Sequence, residues 1–595
     1  MEPNLYQIAE HQTVERILNA FIRERGDASL FAESDDALVR WIDAQEPGAT
    51  WLSLPLPKRR AKLLGIVTYS SVFGHHRYGK QFWIADADQR VTPVPSATQL
   101  ITWLVEELAG EDEAEPVAEL LAQIQNSIEK TALYLEHALA HGVRDGWDLH
   151  PEERLKWMEQ RLLSGHPFHP TPKSSEGFST EDLRRFAPEL QASFPLHFFA
   201  LHPDWIDEEW TEGTAPAKAS ILPPDVAERT ARAIPEGYRL LPMHPWQAAY
   251  VRRFLAWRTG LEQGFIIDLG QLGPEVYPTS SVRTVWSARY PYSFKLPLHV
   301  RITHFVRENT AEQVKRSLDA SRVMAVLRQA WPHASMSVLA EAGAIRFNPP
   351  ADLGGEYSPA SFNVLLRENP DLAKGRTPLV VASLLECWPN QSEPPLLQAI
   401  RQAVGVSEGP IPSEHLATWL RKYVEVVFLP ALDLFANEGV SLEAHVQNSL
   451  LHLEQGWPDH FYVRDMEGIS INRDLAETKG YYDGAIAPDS PVLYSGEQAW
   501  ERLQYYLITN HLGHLLHVIA YYGRWCEREA WAVVRGRLER EKEVASPLMR
   551  QVLERLLGAP VIRAKANLLS RFQNRSDSAV YLDLINPMHS EVKAK

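Results

Sequence analysis

The stretch SFKLPLHVRITHFVREN, residues 293–309, constrains the fold of this chain more than any other. Side chains alternate across an extended strand, so every second residue shares a face. One set, Phe294, Leu296, Leu298, Val300, Ile302, His304 and Val306, is mostly apolar and marks a core-facing side. The other set, Lys295, Pro297, His299, Arg301, Thr303, Phe305 and Arg307, carries three permanent cations. A straight strand from Lys295 to Arg307 would be about 40 Å long at roughly 3.3 Å per residue, so the chain must bend there or its ends must serve different groups.

A cationic face needs a local explanation, because the chain has a formal net charge of −16 and no Lys/Arg-rich run. That balance argues against a nucleic acid or an anionic membrane as partner. The preceding segment, PTSSVRTVW (278–286), has β-branched alternation and is joined to the strand by the turn-rich SARYPYS. An antiparallel hairpin folded about Tyr290 sets Arg283 within a residue or two of Lys295. Cations that close repel unless an anion lies between them. Guanidinium pairs with phosphate or carboxylate through two hydrogen bonds, and ammonium adds a compact charge, so the mixture suits a triphosphate plus a carboxylate. Ser280, Ser281 and Thr284 add hydroxyl donors. The competing reading is a solvated face of ordinary surface ion pairs.

A chain of 595 residues exceeds one hydrophobic core and predicts two to four domains. With 45% hydrophobic residues, 23% charged residues and 18 Trp, it has ample apolar surface to offset the entropy of ordering. Cys387 and Cys526 form no CxxC pair, which fits a reducing compartment and argues against a cysteine-based zinc or iron–sulfur site. The opening MEPNLYQIAEHQ lacks the apolar segment of a signal peptide, and VEVVFLPALDLFA is broken by Glu425, Pro430 and Asp433. A cytoplasmic protein without a membrane span is expected.

Apolar periodicity predicts helices within 5–45 and 95–142, interrupted by an acidic turn at 110–116, with a strand at 81–86. Residues 150–300 are rich in Pro- and His-bearing connections. A helix is expected from Thr310 to Trp331, capped by Asn309 or Thr310. The remainder predicts helices at 396–404, 414–438, 498–522 and 526–558, with a strand at 460–468. The outline is α+β in three parts.

Two further constellations carry chemistry. In SLEAHVQNSLLHLEQGWPDHFYVRDMEG (441–468), Glu443, His445, Gln447 and Asn448 precede a strand that ends at Asp465. A loop Asn and a strand-end Asp are how protein kinases hold magnesium on nucleotide phosphates, and hard Mg²⁺ prefers such oxygen ligands. The alternative is a helix with a buried polar histidine. In SGHPFHPTPKSSEGF (164–178), prolines stiffen a loop bearing His166, His169 and Lys173. Two histidines without a nearby third ligand make a poor zinc site. His511, His514 and His517 lie on an apolar helix and read as core or interface residues. Trp246 of MHPWQ reads as packing.

Taken together, GHPFHPTPKSSEGF, HPWQ, PTSSVRT, KLPLHVRITHFVR and EAHVQN resemble the siderophore synthetases that work without a peptide-synthetase assembly line, the aerobactin-synthetase-like family. The resemblance covers roughly residues 130–570, and the ordered co-occurrence of five motifs makes it specific. It implies thumb (1–130), fingers (131–390) and palm (391–595) parts, the palm distantly kinase-like. It implies MgATP-dependent adenylation of a carboxylic acid, usually citrate, followed by attack of an amine or hydroxyl, in a homodimeric enzyme. Carried onto this chain, Ser281, Arg283, Lys295 and His169 would grip the triphosphate, with Ser280, Thr284 and His166 near it. Thr303, Arg307 and His445 would meet the carboxylate, and Glu443, Gln447, Asn448 and Asp465 would line the magnesium and nucleotide side. His445 or Glu443 would take the proton of the amine. The C-terminal part is similar to ferric-reductase-like proteins that end in a cysteine cluster, which this chain lacks. Free citrate is the expected acid, with a citryl or succinyl monoamide or α-ketoglutarate as alternatives; a phosphotransferase releasing ADP and a non-catalytic iron-handling protein are the rival classes.

Overall fold

The computed structural model describes residues 4–25, 28–31, 49–110, 113–141, 146–211, 221–303, 305–331, 333–350, 357–573 and 580–589. His304, residues 26–27 and 32–45 of the first expected helical region, residues 111–112 of the acidic turn and residue 142 lie outside them.

The first part sets helices Leu5–Arg25, Ala97–Leu108 and Ala114–Ala140 against a five-stranded antiparallel sheet running in sequence order from Ser29–Phe31 to Val91–Pro93. Ser96 caps the second helix by accepting a hydrogen bond from the Gln99 amide. The expectation of helix throughout 5–45 fails at Ser29–Phe31, which is a strand paired with Trp51–Ser53. Pairing across a sheet outweighs local periodicity there. The strand expected at 81–86 is the end of Arg77–Ala85.

The middle of the chain forms an eight-stranded antiparallel sheet. Its order is Ile206–Trp210, Glu341–Phe347, Val364–Glu368, Tyr292–Lys295, Thr284–Trp286, Ile266–Pro278, Phe194–Leu201 and Arg239–Met243. The predicted hairpin is its centre: Thr284 pairs with Lys295 and Val285 with Phe294. The chain then breaks at Leu296–Pro297. Leu298–Ile302 and Phe305–Arg307 belong to a separate three-stranded sheet with Ser175–Glu176. The long strand therefore bends, as its length requires.

Helix Ala311–Arg328 opens on a capping box between Thr310 and Gln313. Thr310 is the cap. Asn309 is instead a buried hub, donating to the Lys295 and Asn363 carbonyls at 3.0 and 2.7 Å while accepting from Arg283 at 2.6 Å. Beyond it, strands Ser449–Glu454 and Trp457–Arg464 pair antiparallel between helices. The two long C-terminal helices each contain a π-helical segment, Val424–Phe428 before Pro430 and Gln504–Leu512. The first meets the missing amide hydrogen of Pro430 without breaking the helix. The helix expected at 526–558 is interrupted at Ala545 and Ser546, where Ser546 caps the next helix and Pro547 opens it.

One hydrophobic core joins the first helices to the eight-stranded sheet, through residues such as Phe21, Leu104, Phe198 and Phe294. A second is built mainly by the C-terminal helices, around Trp419, Leu432, Trp500 and Trp531. Both flank the cavity described next. Among the described residues no helix is long and apolar enough to cross a membrane.

Candidate active site

A cavity of about 2260 Å³ opens between the two cores, and every residue singled out for chemistry lines it: His166, His169, Lys173, Ser280, Ser281, Arg283, Thr284, Lys295, Thr303, Arg307, Glu443, His445, Gln447, Asn448 and Asp465. The residues span some 300 positions, so only the fold brings them together.

The hairpin turn supplies the first group. Thr279 N–H donates to the Thr284 carbonyl at 2.8 Å, closing a loop in which Val282 has φ +68. A β-branched residue in the left-handed region is strained, and such strain gathers at functional sites. The turn presents Ser280, Ser281 and Arg283. Ser281 Oγ accepts from the Thr284 amide at 3.2 Å. Ser280 is tied through both its amide and its hydroxyl to Glu159, which also pairs with Arg464. Arg283 is 7% exposed and donates to the Glu308 carbonyl at 2.9 Å, with Glu467 4.0 Å away.

Lys295, 2% exposed, is the electrostatic centre. Its ammonium meets Asp465 at 2.6 Å and Glu467 at 2.9 Å. Arg367 adds a contact to Asp465 at 3.4 Å and holds the fully buried Glu341 at 2.8 Å. Burial opposes the charge on Lys295, but Asp465 and Glu467 outweigh it and raise its pKa. Burial likewise works against Asp465, yet Lys295 and Arg367 hold it far below the usual carboxylate range. Both therefore stay ionised at neutral pH. Asp465 itself has φ +70 at the end of its strand, which turns its carboxylate toward the hairpin. The register Ser449 with Val463 places Asn448 beside this turn, its backbone carbonyl accepting from the Arg464 amide at 3.0 Å.

Arg307 and His445 line the same cavity. Arg307 donates to Thr303 Oγ1 at 3.0 Å, while its buried Nε has no partner among the described residues. Burial and the neighbouring Arg283 lower its pKa to about 10, so it remains charged. Thr303 is held at φ +63, with its amide on the Ser174 carbonyl. His445 lies in a loop, not a helix: its Nδ1 accepts from the Gln447 and Asn448 amides at 3.2 and 3.4 Å. Burial lowers its pKa and keeps it neutral, so its proton sits on Nε2. His445 is then a hydrogen-bond donor toward the cavity rather than a proton acceptor. Glu443 hydrogen-bonds Tyr506. It occupies space that only a glycine at 468 leaves free, since a Cβ there would lie 1.4 Å from its carboxylate.

Other expectations are adjusted. Arg301 leaves the cluster and pairs with Glu119 and Glu176 at 3.3 and 3.5 Å, because it belongs to the separate sheet. The ammonium of Lys173 is engaged by Glu189 at 2.6 Å. His511 is a core residue on the Ala444 carbonyl, but His514 and His517 line the cavity. Glu467, Glu159, Arg367, Arg464, Arg502 and Lys565 were not singled out. Arg464 directly precedes Asp465 and Glu467 follows it by two residues, so both were within reach of motif reading; the others lie outside the motifs and are recruited by packing. Lys565 donates to the Tyr506 hydroxyl at 2.9 Å, and Arg502 to the Gly468 carbonyl at 2.9 Å.

Known proteins were compared with this arrangement. Residues 155–386 match the IucA / IucC family model, and 417–580 that of the ferric iron reductase FhuF-like transporters. The chain is 36% identical to an L-2,3-diaminopropanoate--citrate ligase of Staphylococcus aureus, across 98% of this chain and 97% of that protein. It is 26% identical to a spermidine-citrate ligase of Bacillus anthracis, across 99% of both. The fold superposes on the ATP-bound aerobactin synthetase IucA of Klebsiella pneumoniae with a TM-score of 0.81 at 23% identity, covering 98% and 100% of the two chains. With a relative this similar along nearly its whole length and four of the five motifs lining one cavity, the chain belongs to the IucA/IucC family of siderophore synthetases.

Proposed function

We propose that this protein is an ATP-dependent ligase that activates a carboxylate of citrate as its adenylate and transfers the citryl group to an amine, with release of pyrophosphate and then AMP. The observation that carries this reading is the convergence of Arg283, Lys295, Arg307 and His445 on one cavity beside Asp465 and Glu467. Citrate and ATP are both polyanions, and fixed buried cations offset the repulsion of bringing them together.

Arg283, Lys295, Ser281 and His169 receive the triphosphate. The oxygen-rich set at the strand end, Asp465 and Glu467 with the side chain of Asn448, fits Mg²⁺, which takes one or two carboxylates and completes its shell from phosphates and water. When bound, the ion neutralises charge on the phosphate oxygens. Arg307, with a free buried Nε, and His445, donating from Nε2, hold the citrate carboxyl group and stabilise charge on its oxygen. Because His445 is neutral with Nδ1 occupied, Glu443 is the group that accepts the proton of the amine. Positioning of the two anions supplies the rest of the acceleration.

The 36% identity to a diaminopropanoate–citrate ligase favours free citrate over a monoamide or α-ketoglutarate. Pyrophosphate release requiring both citrate and Mg²⁺, with AMP as the nucleotide product, is the test. Formation of ADP instead would show a phosphotransferase, and no response to any of these acids would remove the ligase reading.

A further inference from the structure

The cavity is larger than citrate and a nucleotide require, and one arm of it runs away from Lys295 toward the first helix and the C-terminal π-helical segment. Arg16, 6% exposed, lines this arm. One of its nitrogens donates to the Ser164 carbonyl at 3.1 Å, and its buried Nε has no partner among the described residues. The nearby carboxylates are already engaged. Glu15 holds Arg77 at 2.9 Å, and Glu386 accepts the Leu163 and Ser164 amides at 2.7 and 3.0 Å.

On the same cavity wall, His75 is 5% exposed, with Nε2 unpartnered among the described residues. It stacks between His514 and His517, at centroid distances of 5.2 and 4.8 Å, and each of those rings also has an unpartnered Nδ1. A buried donor or acceptor left without a partner is destabilising until a ligand or water satisfies it. Several of them lining one arm, with an unpaired guanidinium, mark a site shaped for a ligand that accepts hydrogen bonds and carries negative charge. His166 sits at the junction: its electrostatic neighbours include His445 on one side and Arg16 on the other.

We propose that this arm holds the amine substrate, and that Arg16, supported by His75, binds a carboxylate on it, so that the nucleophile is an amino acid rather than a polyamine. This rests on the ligase reading of the same cavity. It also separates two kinds of relative that overall similarity does not, since the curated ligases named above include one for a diamino acid and one for spermidine.

The test uses the full-length protein with citrate, MgATP and amines that differ in one group: 2,3-diaminopropanoate, its carboxylate-free counterpart 1,2-diaminoethane, and spermidine. Wild-type kcat/KM should favour diaminopropanoate over diaminoethane at least tenfold. Arg16→Gln should bring that ratio close to one by raising the KM for diaminopropanoate, and Arg16→Lys should restore part of it. His75→Gln should lower the ratio several-fold and carries the test if Arg16→Gln does not fold. A wild-type ratio near one, or a ratio that survives Arg16→Gln, overturns the subsite. A higher KM for citrate with every amine would place a citrate carboxylate at Arg16 and overturn it too. Hydroxylamine, a small acceptor with no carboxylate, separates the two readings: failure of the wild type to form a hydroxamate overturns the ligase reading and this subsite with it, whereas hydroxamate formation without amine discrimination overturns the subsite alone.

Discussion

On the proposed reading, Lys295 serves both stability and chemistry. In the absence of substrate it neutralises Asp465 and Glu467, two carboxylates in a desolvated pocket. Removing it leaves them buried without their main counterion, a change that costs about 3–5 kcal/mol in comparable pairs. Lys295→Ala should therefore lower the melting temperature by several degrees as well as abolish pyrophosphate release, and an unchanged melting temperature would show that the ion triad contributes little. Arg307 is different, because among the described residues it loses only a hydrogen bond to the Thr303 hydroxyl and no ion pair. Arg307→Ala should leave the melting temperature nearly unaltered while reducing kcat by about 10²–10³, the usual cost of one oxyanion donor, as measured by citrate-dependent pyrophosphate release. A third residue acts through space it does not fill. Gly468→Ala would put a methyl group where the Glu443 carboxylate lies, and amide formation should fall far more than adenylation followed by pyrophosphate exchange.

At the level of elements, the hairpin carries the triphosphate-binding part of the proposal. Its pairing was legible in advance, because β-branched alternation, a turn-rich link and Tyr290 together permit few registers, and Thr284 does pair with Lys295. What periodicity does not reveal is the turn conformation: Val282 at φ +68 costs about 1–3 kcal/mol of local strain. Val282→Gly should relieve that strain at the expense of some packing, so the melting temperature should move little, while the looser turn raises the KM for ATP several-fold. A large fall in melting temperature with unchanged KM would assign Val282 to packing alone. The π-helical stretch Gln504–Leu512 lies within the helix expected at 498–522, since apolar periodicity does not distinguish the two over so short a span. It carries Tyr505, Tyr506, Thr509 and Asn510 into the cavity wall.

For the molecule as a whole, the buried histidines set the response to acid. Burial pushes His166, His244 and His514 down to about 3, and His75 and His517 also lie well below their ordinary value near 6.5. The unfolded chain binds protons at these positions between about pH 3 and 6.5 and the folded chain does not, so stability is full above that window and falls as pH drops through it. Each such group contributes up to about 1.4 kcal/mol per pH unit. Thermal melting between pH 7.5 and 5.0 should show a steep decline starting near pH 6.5. A flat profile would mean that these rings are hydrated and titrate normally.

The sequence by itself determined the local pieces: which strands pair in the hairpin, that a helix starts at Asn309 or Thr310, and that cations gather on a chain of net negative charge. These follow from spacing between near neighbours, where backbone geometry and side-chain alternation leave few choices. Only the tertiary structure decided which charges meet. Arg301, on the same nominal strand face as Lys295, left for another sheet once the chain bent at Pro297. Glu159, Arg367 and Lys565 entered the site from distant segments. Ion pairs and unpartnered donors depend on how elements pack and exclude water, and that packing joins residues hundreds of positions apart.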